Sequence, residues 1–209
     1  MNYKITDLKQ IGKSERYKLF LDFAYRCDLE LEIIYKYHLK DGVILSEDEL
    51  NEILFENKKL TCFSVALKYV SKSLKTEKQV RDYLLKNEYP LELVDLAVKK
   101  LAEYKYIDDV AYAKSYFNTY SQAKGIKLIK NELKNKGIKN EILQEVFEDV
   151  SDNIDVISKI VQKKLKNCVV FDQKQKEKLI RSLIAKGYDY SDIKRVLSDY
   201  KIESPEEDY

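Results

Sequence analysis

The sequence predicts a mainly α fold, three tandem three-helix repeats preceded by a small α/β N-terminal module, and three observations lead there. Among 209 residues there are five Gly and two Pro, too few turn formers for the many corners of an all-β sandwich or barrel. Charged residues make up 35% and hydrophobic residues 44%, with 38 Lys+Arg against 36 Asp+Glu. Two dense, nearly cancelling charge populations suit a soluble helical surface rather than a disordered or strongly basic chain. The third observation is an apolar pattern that returns about every fifty residues, the signature of a repeat architecture.

The opening stretch has the texture of strands. Tyr3 and Ile5 alternate, as do Tyr17, Leu19 and Leu21, and these period-two segments, about a dozen residues apart, predict a small hairpin. Asp28 to Lys40 reads as a short helix broken by Gly42. Ser46-Glu47-Asp48-Glu49 opens another helix, with Ser46 as N-cap and carboxylates at the positive end of the helix dipole. That helix is expected to end near Asn57, which bounds the module at residues 1–58. Residues 60–209 are expected to stay helical without it.

From Thr61 onward the period becomes helical. Val80, Leu84 and Tyr89 align with Ile129, Leu133 and Ile138, and again with Leu179, Leu183 and Tyr188. Leu84, Leu133 and Leu183 are separated by 49 and 50 residues. Each such helix is followed by another apolar one, carrying Val94, Val98 and Leu101, then Ile142, Val146 and Phe147, then Ile193, Val196 and Leu197. Each is preceded by a third, carrying Ala66, Leu67 and Val70, then Ala113, Tyr116 and Phe117, then Ile157, Ile160 and Val161. Three-helix repeats are therefore expected at 59–104, 105–151 and 152–202, with an acidic tail at 203–209. Gly137 and Gly187 share one register, where a left-handed residue would end the middle helix. Repeat one has Glu88 there, and Asn87, which tolerates positive φ better, is expected to make that turn instead. The period is too long for tetratricopeptide or ankyrin units.

Little in the sequence points to catalysis. No GxGxxG, GxxxxGK[ST] or HExxH occurs, and His38 is the one histidine, so a two-histidine metal site is excluded. His38, beside Tyr35 and Tyr37, reads as a helix residue rather than a triad member. The Asp108-Asp109 pair directly precedes a helix and reads as its cap and first turn rather than as an acid and base. Cys27, Cys62 and Cys168 share no CxxC spacing and read as free thiols in a reducing compartment. The N-terminus lacks the apolar stretch of a signal peptide, and no run approaches the ~18 apolar residues of a membrane span. A cytoplasmic protein with no cofactor, no metal and no catalytic residue is expected.

The basic residues carry more information. Counting from the core position of each middle helix, Lys78 and Arg81 of repeat one and Lys127 and Lys130 of repeat two stand at the same two offsets. At ~100° per residue both offsets point away from the core. Lys72 and Lys75 precede this face in repeat one, and Lys124 and Lys134 flank it in repeat two. In repeat three Lys174, Lys178 and Arg181 fall on a different side. A lysine-covered face is usually only solvated, but its recurrence in tandem units suits a polymer that itself repeats. Tyr69, Tyr83, Tyr104, Tyr106, Tyr116 and Tyr120 are placed by helical spacing in or near the core, although tyrosines can also stack on bases.

Three segments together resemble the RecX family of recombination regulators. They are Lys78-Gln79-Val80-Arg81-Asp82-Tyr83-Leu84, Tyr106-Ile107-Asp108-Asp109-Val110-Ala111-Tyr112-Ala113, and Lys130-Asn131-Glu132-Leu133-Lys134-Asn135-Lys136-Gly137-Ile138. The resemblance extends over nearly the whole chain and includes the Leu39-Lys40-Asp41-Gly42 turn of the longer members. It implies helix-turn-helix-like units in a non-enzymatic, monomeric protein. Such a protein would bind the RecA–single-stranded DNA filament, restrain its growth, ATP hydrolysis and strand exchange, and act in DNA repair, homologous recombination and the SOS response. Binding to single-stranded DNA alone would be weak and sequence-independent. The RecA- and DNA-binding residues expected on this basis are Lys72, Lys75, Lys78, Arg81, Lys124, Lys127, Lys130 and Lys134. The chain departs from common members in having Asn118 and Tyr120 where arginines occur, and Lys75-Thr76 where arginine-serine occurs, which removes bidentate contacts there. Two other classes stay open: a sequence-specific DNA-binding transcriptional regulator, and a helical scaffold with no nucleic-acid partner.

The helix phase can be tested directly. Leu133→Ala should destabilise the protein by about 2 to 5 kcal/mol as a core cavity, whereas Lys130→Ala on the outer face should cost under about 0.5 kcal/mol. Equal losses in urea denaturation would overturn the phase.

Overall fold

A computed structural model describes residues 1–151, 154–166 and 172–200. Cys168 and the acidic tail expected at 203–209 lie outside the described residues. The chain forms two compact units, Met1–Ile107 and Asp108–Tyr209.

The first unit begins with β1 (Asn2–Gln10), β2 (Arg16–Leu21) and β3 (Ala24–Glu30), followed by α1 (Leu31–Lys36) and β4 (Ile44–Ser46). These strands form one antiparallel sheet in the order β3-β2-β1-β4. The alternation at Tyr17, Leu19 and Leu21 does mark one face: Leu19 and Leu21 are buried with Ile5, Leu29 and Leu45. The expected helix from Asp28 is corrected. Asp28 to Glu30 finish β3, where Leu29 faces Tyr17 in the ladder, and α1 occupies only six residues. His38 follows α1 with φ +50 and closes it, Leu39 N–H donating to Ile34 O at 2.9 Å. It is thus a left-handed helix terminus, not a residue inside a helix.

Helix α2 (Glu47–Val70) starts where the capping signal placed it, with Ser46 and Glu49 forming a reciprocal capping box. It does not end near Asn57. It runs unbroken for 24 residues, so the boundary expected at 58/59 falls inside a helix. Its N-terminal half buries Leu50 and Ile53 in the sheet core, and its C-terminal half buries Cys62, Ala66 and Val70 in a separate core. Asn57 sits between them. Its Oδ1 accepts the Glu30 N–H at 2.9 Å and its Nδ2 donates to Asp28 O at 3.0 Å, so one side-chain amide satisfies the outward backbone of β3 as a neighbouring strand would. The second core is completed by α3 (Glu77–Lys86) and α4 (Leu91–Glu103), with Val80, Leu84, Val94 and Leu101 at most 3% exposed together with Val98. Burial pushes both described thiols, Cys27 and Cys62, up to about 11, which makes them poor nucleophiles at neutral pH.

The second unit contains α5 (Asp109–Tyr120), α6 (Ile126–Asn135) and α7 (Asn140–Phe147), then α8 (Ile154–Leu165), α9 (Gln173–Ala185) and α10 (Tyr190–Leu197). Asp108 caps α5, its carboxylate accepting the Ala111 N–H at 2.9 Å. Ile129 and Leu133 centre one core, Leu179 and Leu183 the next. In α7 the buried pair is Leu143 and Phe147, with Ile142 and Val146 only partly covered, a one-residue shift from the expected face.

All three middle helices end alike. Tyr89, Ile138 and Tyr188 donate backbone N–H groups to Leu84, Leu133 and Leu183 carbonyls at 3.3, 3.0 and 3.2 Å, the six-to-one bond of a Schellman turn. The left-handed residues are Gly137 (φ +92), Gly187 (φ +86) and Glu88 (φ +61), whereas Asn87 has φ −88. The expectation for Asn87 is therefore corrected, because the turn fixes the residue by its place in the hydrogen-bond pattern rather than by its side chain.

Repeats two and three meet through backbone. Thr76 and Asp172 cap α3 and α9 with side chains, but Gly125 stands at that position before α6. Its N–H donates to Lys186 O at 2.9 Å, and Lys127 N–H donates to Gly187 O at 3.3 Å. The C-terminal carbonyls of α9 thus take over the cap, positive helix end against negative helix end. A Cβ on Gly125 would stand 2.3 Å from Gly187 backbone, and one on Gly187 would stand 2.4 Å from Leu128.

Two substitutions test this construction. Asn57→Ala leaves the Glu30 N–H and Asp28 C=O without their amide and should cost about 1–3 kcal/mol, seen as a lower urea midpoint. A loss within measurement error would mean water replaces the amide. Glu88→Gly removes a left-handed penalty on a side-chain-bearing residue and should stabilise by about 0.5–1 kcal/mol. A destabilised variant would show that the Glu88 side chain makes a compensating interaction.

Candidate nucleic-acid interface

The eight basic residues divide between the two units. Lys72 is exposed after α2 and has no ion pair among the described residues. Lys75 donates to Ser73 Oγ at 2.8 Å and lies 4.9 Å from the ring centroid of Tyr69, which stacks on Tyr83 at 4.0 Å. Lys78 pairs with Asp82 at 2.7 Å, one turn along α3.

Arg81 does not stand free on an outer face. Its Nε meets Glu77 Oε1 at 2.8 Å and its Nη1 meets Asp95 of α4. Hydrogen bonds to Asp95 first and Glu77 second raise its already high pKa. Two carboxylates around one guanidinium leave no net positive charge to offer a partner, and the side chain serves to join α3 to α4.

In repeat two the same separation appears. Lys124 meets both carboxylate oxygens of Glu132, at 2.6 and 2.7 Å, and lies 4.3 Å from the Tyr120 ring centroid. Tyr116 donates its hydroxyl to Glu132 Oε2 at 2.9 Å. Lys124 foremost holds the Glu132 carboxyl below the usual range, while burial, followed by Glu132, pushes the Tyr116 phenol up. This cluster joins α5 to α6. Tyr112, Tyr116 and Tyr120 also form a ladder, with centroids 6.1 and 4.5 Å apart, so their rings face each other along α5 instead of standing out for bases. Lys127 reaches Asp189 at the start of α10, at 2.5 Å, and with help from Ser191 holds that carboxyl well below its ordinary range.

Lys130 and Lys134 remain. Lys130 is half-buried, its Nζ 5.2 Å from the Phe147 ring centroid, a contact of about 0.5–1 kcal/mol that raises the expected effect of Lys130→Ala above that of a free outer-face lysine. Lys134 is exposed. Neither has an ion pair among the described residues. Both line an open groove of about 630 Å³ between α6 and α7, together with Lys127, Asn131, Asn140, Leu143 and Gln144. No carboxylate among the described residues lines it. Beyond Lys130 a second hollow is bordered by Glu145 and Glu148, which confines the anion-friendly surface to the Lys134 side.

Residues 127, 130, 131 and 134 share one face of α6 by their three- and four-residue spacing, and Asn140 and Gln144 do so on α7. Sequence reading found the lysines and missed the amides. The signal for Asn140 and Gln144 was their four-residue spacing, which has meaning only once α7 is known to pack beside α6. Ammonium groups suit phosphate or carboxylate oxygens as point charges, and amides donate to or accept from either a backbone or a base edge.

Family models described as the first, second and third three-helix domains of RecX match residues 62–101, 108–146 and 151–197. The chain is 33% identical over 201 residues to the regulatory protein RecX of Clostridium tetani, covering 93% of each. It is 33% identical over 194 residues to that of Listeria monocytogenes serotype 4b (strain F2365), covering 88% of this chain and 71% of the relative. A crystal structure of regulatory protein RecX superposes with a TM-score of 0.71 at 24% identity, covering 95% of this chain and 100% of the other. One of RecX from Lactobacillus salivarius gives 0.62 at 25% identity, covering 69% and 97%.

Proposed function

Because the chain belongs to the RecX family, we propose that it is a non-enzymatic RecA regulator that binds the RecA–single-stranded DNA filament and restrains filament growth, ATP hydrolysis and strand exchange. The observation that carries the contact to DNA is the α6–α7 groove, with three lysines and, among the described residues, no lining carboxylate. Lys130 and Lys134 are the principal phosphate contacts, with Lys72 an additional one in repeat one. Lys75, Lys78, Arg81, Lys124 and Lys127 hold the fold together or sit against local partners, and their part in binding is secondary.

A few ammonium groups give only weak, salt-sensitive affinity for single-stranded DNA, since each neutralised phosphate contributes about 0.7 to the log–log salt slope. Lysine is also a point donor that follows phosphates without reading bases. Affinity for a filament grows when linked repeats engage it together, through effective concentration rather than new contacts. This division between weak DNA binding and stronger filament binding is the expected behaviour of the full chain.

The test reverses Lys130 and Lys134 to Glu, leaving Arg81 and Lys127 intact because their reversal would break ion pairs of the fold. Cosedimentation with preformed RecA–DNA filaments should fall, and the salt slope on single-stranded DNA should shrink by about 1.4. Lys174→Glu with Lys178→Glu on α9 is the control and should have a smaller effect. Undiminished filament binding by the α6 variant would remove the groove as the DNA contact. Strong preference of the wild-type chain for one duplex sequence would favour a transcriptional regulator instead.

A further inference from the structure

The joint between repeats two and three builds a hollow that needs residues of both. Gly125 and Gly187 let the end of α9 rest on the start of α6, with Gly125 N–H donating to Lys186 O and Lys127 N–H to Gly187 O. Beside that contact α6, α9 and the start of α10 border about 220 Å³, lined by Lys127, Leu128, Asn131, Ile184, Tyr188 and Tyr190 among others. Leu128, Ile184 and Tyr188 make apolar walls, and Asn131 supplies an amide that both donates and accepts. A cavity of ~150 Å³ holds benzene, so one flat ring system fits here.

The hollow continues the lysine groove. Lys127 and Asn131, one turn apart on α6, line both. A chain whose phosphates lie along Lys130 and Lys134 therefore has this hollow next to it. No carboxylate among the described residues lines either space. Asp189, just before Tyr190, is held by Lys127 and by the Ser191 N–H and hydroxyl, and Asp192 falls on another side of α10 from Tyr190. Lys194, exposed and without an ion pair among the described residues, stands one turn along α10 on the Tyr190 side. Cations thus flank the hollow on α6 and α10, which favours an anionic polymer as its occupant.

Tyr190 differs from the tyrosines considered above. Tyr69 and Tyr83 cover each other, and Tyr112, Tyr116 and Tyr120 form a ladder. Tyr190 is 54% exposed and has no ring partner among the described residues, while the Asp189 cap orders its backbone. A basic groove beside an aromatic face is the pairing by which single strands are held, phosphates on the cations and bases on the rings.

We infer that the hollow between α6, α9 and α10 is a nucleobase site, in which one unstacked base of a single strand lies against Tyr190 and presents its edge to Asn131 while the flanking phosphates occupy the lysine groove. This rests on the function proposed above. The site accepts any base, because stacking uses the ring face and one amide reads little sequence.

The test uses the full chain, an oligothymidylate and an abasic oligonucleotide of the same length. The sequence has no tryptophan, so Tyr190→Trp places one reporter in the site. Oligothymidylate should quench its fluorescence and the abasic strand should not. Tyr190→Ala should bind oligothymidylate at least about fivefold more weakly at an unchanged salt slope, since stacking releases no counterions. Its abasic-strand affinity and melting temperature should match wild type, and Tyr190→Phe should bind as wild type does. Equal oligothymidylate affinity of wild type and Tyr190→Ala would overturn the base site and leave the proposed function standing, as would equal losses on both strands. Weaker cosedimentation of Tyr190→Ala with RecA–DNA filaments at unchanged DNA affinity would assign the hollow to a protein side chain and also overturn it. A wild-type chain that binds neither strand nor filament would overturn both the function and the site.

Discussion

Each three-helix repeat depends on one left-handed residue that closes its middle helix. At Glu88, Gly137 and Gly187 the chain reverses its helical sense for a single residue, and the next residue returns its N–H to the helix five positions back. That bond fixes the angle at which the third helix leaves and therefore which faces meet. Leu84, Leu133 and Leu183, which accept those bonds through their carbonyls, are also at most 1% exposed. Backbone closure and core packing are thus enforced at the same residue. In repeat two the same closure sets α7 beside α6 and so shapes the lysine groove.

The repeats share this closure but differ in how they are anchored. Repeat one borrows its first helix from the sheet module, because α2 continues across both cores. A helix unbroken between two hydrophobic clusters transmits position rigidly, and Asn57 ties the sheet edge to its middle. Repeat two has no side-chain cap for α6 and takes one from the end of α9. The absence of a Cβ at both Gly125 and Gly187 is what permits backbone to meet backbone there.

Charge is distributed by the same logic. Arg81 of α3 reaches Asp95 of α4, Lys127 of α6 reaches Asp189 at the start of α10, and Lys124 reaches Glu132 of α6 from the turn before that helix, so their positive charge is used up within the fold. Lys130 and Lys134, which meet no carboxylate among the described residues, border the one lysine groove described above. In a chain with almost balanced charge, the surface we propose for binding is picked out by where cations lack partners rather than by how many cations there are.

The sequence alone determined the features that depend on local chemistry. Helical periodicity marked Val80, Ile129 and Leu179 as core, the capping box announced the start of α2, and the glycine register located two of three helix closures, because each signal is carried within a few residues. The recurrence of these signals was enough to read the repeats and the family resemblance. Tertiary structure decided what depends on distant partners. Asp28 to Glu30 became strand because β2 and the Asn57 amide satisfy their backbone, and α2 continued past Asn57 because two cores flank that residue. Glu88 took a left-handed turn that its side chain does not favour, since the hydrogen bonds of the closure outweigh local preference. The ion pairs of Arg81 with Asp95 and Lys127 with Asp189 join residues that only packing brings together. Whether a lysine is a strut or a binding site is a property of its neighbours in space, and a sequence records only its neighbours along the chain.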